Sequence, residues 1–193
     1  MSTWQFLSRY LREPGSVGAI APSSHALARA VCRAGRIDTA DAIVEFGPGT
    51  GPVTGEILKR KKPTSKFFGI ERSPQLAEIC RRTHPGATIY TDDAANVRAL
   101  CDRNHIDRVD SIISGLPWAS LPTQVQDSIL DAAMTVLKPG GTLVTFGYHA
   151  GLLMPAGRRF HKRLPQFFDH IELFDTVWAN IPPARIYRFT SAR

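Results

Sequence analysis

Cysteine is scarce in this chain: Cys32, Cys80 and Cys101 are the only three among 193 residues. They lie far apart, form no CxxC pair and have no histidine at ligand spacing, so neither a disulfide framework nor a zinc site is supported and a reducing cytoplasm is expected. Long apolar runs are missing as well. No stretch approaches membrane-spanning length. The opening segment MSTWQFLSRYLREPG has too short an apolar core and too many early polar residues for a secretory signal, which leaves a soluble chain or one lying on a membrane surface. Internal repeats and low-complexity segments are absent. Acidic residues are the minority, 17 against 24 Lys and Arg, and the resulting formal charge of +7 points to an anionic partner: nucleic acid, an acidic membrane face or an anionic metabolite.

The composition, 43% hydrophobic, suffices for one buried core and shows no break that would mark two. One domain over residues 37–193 is expected, preceded by an N-terminal appendage over 1–36. Short β-branched or aromatic runs alternate with helical patterns. AIVEF (42–46), KFFGI (66–70), ATIY (87–90), VDSIIS (109–114) and TLVTFGY (142–148) read as strands; TGEILKRKK, SPQLAEICRRT, AANVRALCDR and TQVQDSILDAAMTVLK between them read as helices. That order implies an α/β fold of βαβ units, a parallel sheet covered on both faces. IELFDTVWAN and ARIYRFT then follow one another around Pro182 and Pro183, which predicts an antiparallel pair at the sheet edge.

The first strand runs into VEFGPGTGPVT (44–54), where Gly47, Gly49 and Gly51 alternate just before a helix beginning near Pro52. Glycines there permit a tight turn and a close ligand, and a helix N-terminus adds free N–H groups; a purely structural turn is the alternative. Glu71 ends the second strand, 20 residues after Gly51, where dinucleotide-type folds place an acid for ribose hydroxyls. Asp92 and Asp93 stand at the end of the third strand, where they can read an adenine amino group, cap a helix, or do both. The spacing is GxGxG, not the GxGxxG of nicotinamide enzymes, and Glu45 precedes it. A carboxylate there suits a cationic ligand with an adenosine end, namely S-adenosylmethionine, or its product.

With SGLPW (114–118) and LKPGG (137–141) added to VEFGPGTG, GIERS and TDDA, the chain resembles the class I S-adenosylmethionine-dependent methyltransferases over nearly all of residues 40–190. VGAIAPSSHALAR (17–29), SGLPWASLP and NIPPARIYRF narrow the resemblance to the bacterial phospholipid N-methyltransferases, which methylate phosphatidylethanolamine, in some cases as far as phosphatidylcholine. The resemblance implies a Rossmann-like fold with a seven-stranded, mostly parallel sheet, an antiparallel edge strand, and N-terminal helices that cover the cofactor. It implies that Glu45 with Gly47, Pro48, Gly49, Thr50 and Gly51 holds the methionine end, Glu71 with Arg72 the ribose, and Asp92, Asp93 and Ala94 the adenine, with Ser114 beside them. S-adenosylhomocysteine is then the product, an aminophospholipid on an anionic membrane face the partner, and the chain a monomer without metal, peripheral on the inner face of the cell membrane.

Two rival readings stand beside it: a non-catalytic nucleic-acid-binding module on the same fold, and the rRNA adenine dimethyltransferase family, which carries an Asn-Leu-Pro-Tyr type segment after strand four. The aligned residues here are Gly115, Leu116, Pro117 and Trp118, and glycine has no amide with which to hold a base edge. Trp118 offers an aromatic face to an ammonium, worth about 0.5 to 2 kcal/mol, or simply packs. Tyr148 and His149 follow strand five, where substrate groups are expected. A lipid amine resembles that of lysine, with a pKa near ~10.4, so its lone pair is freed either by selection of the neutral amine or by a base such as His149 or a tyrosine.

Residues 4–12, wound as a helix, gather Trp4, Phe6, Leu7, Tyr10 and Leu11 on one arc, with Arg9 and Arg12 on the other, before Pro14 and Gly15 stop it. This segment either packs on the domain or anchors it in an interface, with arginines near anionic headgroups. GRRFHKRLPQFF (157–168) interleaves Arg158, Arg159, Lys162 and Arg163 with aromatics. It suits a lipid phosphate, single-stranded nucleic acid, or plain solvation.

Overall fold

A computed structural model describes residues 25–148, 155–180 and 183–191. Trp4, Leu7, Arg9, Tyr10, Leu11, Arg12 and His149 lie outside the described residues, and of Tyr148 only the backbone is described.

Seven strands form one sheet: β1 (Ala42–Phe46), β2 (Lys66–Glu71), β3 (Thr88–Thr91), β4 (Val109–Ser114), β5 (Leu137–Tyr148), β6 (His170–Val177) and β7 (Ala184–Thr190). Their order is β3-β2-β1-β4-β5-β7-β6. The first five run parallel, and β7 pairs antiparallel with both β5 and β6. The antiparallel strand is therefore one place in from the border, and β6, the outermost, points the same way as β5.

Among the described residues six helices accompany the sheet: α1 (His25–Ala34), α2 (Pro52–Arg60), α3 (Pro74–Thr83), α4 (Val97–Arg103), α5 (Thr123–Val136) and α6 (Pro155–Arg163). The alternation of side chains along β1 divides the core. Val44 and Phe46 pack with residues of α4, α5 and α6, whereas Ile43 packs with α1 and α2. Both sheet faces are thus covered, which explains why all five residues of β1 are buried, Glu45 included.

One boundary differs from the sequence expectation. The helical pattern reads on to Lys138, but α5 ends at Val136 and β5 already begins at Leu137. Pro139 disfavours helical backbone at Lys138, and Gly140 turns with φ +74°. The extra residues shift the pairing with β4, from Val109 opposite Leu137 to Ser111 opposite Thr142.

Phe46 is fully buried at the end of β1. Phe46→Ala is expected to cost about 3 to 5 kcal/mol through lost burial and a residual cavity, read as a lower urea midpoint with an unchanged slope.

Candidate active site

The chain proceeds from β1 outward to β2 and β3, then returns across to β4 on the other flank of β1. The loops leaving β1 and β4 diverge at this reversal of winding, and ligands of open α/β sheets sit in the crevice so formed. The sequence motifs converge on it.

Gly47, Gly49 and Gly51 have φ of +67°, +60° and +95°, a region costly for any residue with a Cβ. The loop is pinned by Gly47 N–H to Ile70 O at 2.8 Å and by Gly51 N–H to Pro48 O at 3.0 Å. A Cβ at Gly49 would meet nothing within 4 Å, so this backbone faces open space, whereas one at Gly51 would meet the His84 ring at 2.5 Å. Pro48 is buried and Thr50 exposed.

Two carboxylates flank the loop. Glu45, 2% exposed, accepts from Thr54 Oγ1 at 2.6 Å. Burial pushes its carboxyl up to about 8, the Thr54 hydrogen bond pulls it back, and the neighbouring Glu71 raises it further. Glu71, also buried, accepts from Gly49 N–H at 3.0 Å and from Ser73 N–H at 2.8 Å. Burial raises it too, opposed by these backbone donors.

Asp93 caps the turn Ala94–Asn96 through Ala95 N–H at 3.0 Å and pairs with Arg72 at 3.7 Å. Asp92 accepts from Asp93 N–H and from Asn96 Nδ2, both at 2.7 Å, and its own N–H reaches Glu71 O at 3.2 Å. Ala94 is buried. Glu71, Arg72, Asp92 and Asp93 thus form one connected edge beside the glycine loop.

Across the crevice, a Cβ at Gly115 would lie 2.7 Å from Gly47 O, so the exits of β4 and β1 touch backbone to backbone. Ser114 is fully buried; its hydroxyl accepts from Trp118 Nε1 at 3.1 Å and its carbonyl from Thr145 Oγ1 at 3.0 Å. Trp118 is 4% exposed and stacks on Phe160 of α6, with centroids 5.1 Å apart, so one face of its ring is taken. Arg158 and Arg159 are exposed on that same helix. Tyr148 closes β5, on the flank of β4.

Three contributors were not singled out from the sequence. Thr54 lies one turn into α2. Gln126 of α5 donates to Trp118 O at 2.6 Å and Leu121 O at 3.1 Å, holding the loop after β4. His84 packs under Gly51 and Gly55. Gln126 did carry a signal, a polar residue on the apolar side of an amphipathic helix. No cluster of three metal-ligating side chains occurs among the described residues.

The crevice at the winding reversal, with bare backbone at Gly49 and two buried carboxylates beside it, is the ligand-binding position of an open α/β sheet. The "Methyltransferase domain" family model matches residues 43–141, and the chain belongs to that family. An ornithine lipid N-methyltransferase of Singulisphaera acidiphila is 30% identical over 186 residues, covering 94% of this chain and 92% of that one. The N-methyltransferase NodS of Bradyrhizobium japonicum, solved with S-adenosylhomocysteine, superposes with a TM-score of 0.67 over the whole of both chains at 14% identity. TrmN of Thermus thermophilus superposes at 0.66 and 16% identity, over 96% of this chain and about half, 53%, of its own. The protein is an S-adenosylmethionine-dependent methyltransferase.

Two measurements test this geometry. Gly115→Asn is expected to destabilise the fold by about 1 to 3 kcal/mol through overpacking against Gly47 and to weaken S-adenosylhomocysteine binding, seen by thermal shift with and without ligand. For Glu45, the folded value near 8 lies above the ordinary 4.5, so the fold favours the protonated form. That contribution is complete below about 4.5 and lost as pH rises through 8. In cofactor-free protein, Glu45→Gln should therefore gain stability relative to wild type from pH 5 to 9, measured by urea unfolding across that range.

Proposed function

We propose that this methyltransferase transfers its methyl group to the primary amine of a lipid headgroup, with phosphatidylethanolamine carried to its mono- and dimethyl forms and toward phosphatidylcholine at the cytoplasmic membrane face. The observation that carries this reading is the backbone contact between Gly115 and Gly47, which leaves no room for an amide side chain where a base-methylating site needs one. The ornithine lipid N-methyltransferase relative supports a lipid amine and favours a second acceptor, the amine of an ornithine lipid.

The cofactor supplies an electrophilic methyl on a sulfonium. Glu45 and the glycine loop hold its methionine end, Glu71 and Arg72 the ribose, and Asp92, Asp93 and Ala94 the adenine. The Ser114–Trp118 segment and Tyr148 border the acceptor amine, and the covered crevice orients its lone pair in line with the methyl. His149 or a tyrosine takes the amine proton, or the neutral amine is selected from solution. Arg158 and Arg159 meet lipid phosphate, with Trp4, Leu7 and Leu11 in the acyl boundary and Arg9, Tyr10 and Arg12 at its surface. No described helix is long and apolar enough to cross a membrane.

The deciding assay incubates the protein with labelled S-adenosylmethionine and three acceptors: phosphatidylethanolamine vesicles, ornithine lipid vesicles, and unmethylated ribosomal RNA. Label in phosphatidylethanolamine is the expected outcome and counts the methyls added. Label in ornithine lipid alone moves the headgroup, and label in RNA alone overturns the lipid reading.

A further inference from the structure

We propose that Thr54 is a positioning residue for Glu45: its buried hydroxyl holds one carboxylate oxygen, leaving the other to meet the ammonium of the cofactor's methionine end. The inference rests on the reading of Glu45 as the methionine-end contact and extends it to a residue outside the glycine loop.

Thr54 is fully buried, and its 2.6 Å bond to Oε2 is the one hydrogen bond to this carboxylate among the described residues. The hydroxyl also lies 3.6 Å from Cys80 Sγ. Threonine has a single hydroxyl hydrogen, so when it is given to Glu45 the Cys80 thiol is left as the donor to Thr54. Burial raises that thiol, which keeps its proton and can fill the role. With Glu45 ionised the chain runs from Cys80 through Thr54 to the carboxylate, and it keeps that direction when the carboxyl proton sits on Oε1, the oxygen away from Thr54.

Among the described residues, the groups around Glu45 offer it no permanent cation. Glu71 faces it from β2, Cys80 from α3 and Cys32 from α1; its β4 neighbour is the apolar Ile113. His84, at the end of α3, packs against Gly51 and Gly55 rather than the carboxylate. An arriving ammonium supplies the missing positive charge, and the proton displaced from Glu45 passes to the buffer while the Thr54 hydrogen stays in place.

The test is calorimetric titration of S-adenosylhomocysteine into wild type, Thr54→Ser, Thr54→Val and Glu45→Gln from pH 6.5 to 9, in buffers of different ionisation enthalpy. Wild-type affinity should rise with pH toward about 8, with proton release on binding. Thr54→Val should weaken binding about tenfold at pH 7 and move that rise to higher pH, and Thr54→Ser should restore both. Wild-type affinity and pH profile in Thr54→Val would sink the proposal. So would an undiminished tenfold loss when Thr54→Val is placed on Glu45→Gln, since Thr54 would then act through something else. Should Thr54→Val fail to fold by circular dichroism, Thr54→Cys, a weak donor of similar size, takes its place under the same criteria. If Glu45→Gln alone leaves affinity and proton release unchanged, the reading of Glu45 fails and the proposal with it. None of these outcomes depends on the lipid acceptor.

Discussion

The arrangement of this molecule depends on the contact between Gly47 and Gly115, where the exits of two neighbouring parallel strands meet main chain to main chain. Because β1 and β4 stay together to their ends, the loops beyond them must part, one toward β2 and the other toward β5. The parting creates the crevice. The contact also sets the glycine loop after β1 directly against the Ser114–Trp118 segment after β4.

Within that frame, an electrostatic penalty is placed where a ligand can relieve it. Glu45 sits in the most covered strand of the sheet with a hydroxyl for company and a second carboxylate nearby. Removing a carboxylate from water is costly unless a counter-charge arrives, and among the described residues the nearby side chains do not provide one. On the proposed reading of Glu45, a cationic cofactor completes what folding leaves unbalanced. Glu71 differs: backbone N–H groups from the glycine loop and from Ser73 already stabilise its charge, so it is better prepared to accept from neutral hydroxyls.

The fold and the location of the crevice were legible in the sequence, because both rest on local signals. Alternation of apolar runs marks strands and helices, and three alternate glycines mark left-handed backbone that other residues avoid. The end of α5 was misread since its apolar period continues for two residues after the geometry changes, and Pro139 acts backwards on Lys138. Two features were not legible because they join distant segments. Nothing local to Thr54 says that its hydroxyl meets Glu45, and nothing local to Trp118 says that Phe160 covers one face of its ring. Asp93 shows the intermediate case: its capping role follows from the residues next to it, while its pairing with Arg72 needed the β2 and β3 ends side by side.

The glycine contact also bears on how such a site changes over generations. On the proposed lipid-amine reading, position 115 is where an amide side chain has to enter for the site to turn from an aliphatic amine toward a nucleobase. Here that side chain has to displace the Gly47 carbonyl, and with it the loop proposed to carry the cofactor. On that reading, acceptor choice and cofactor retention are coupled at one atom pair. Drift at position 115 is penalised before any new acceptor can be tried, and a lineage that exchanges one acceptor class for the other has to move both loops together.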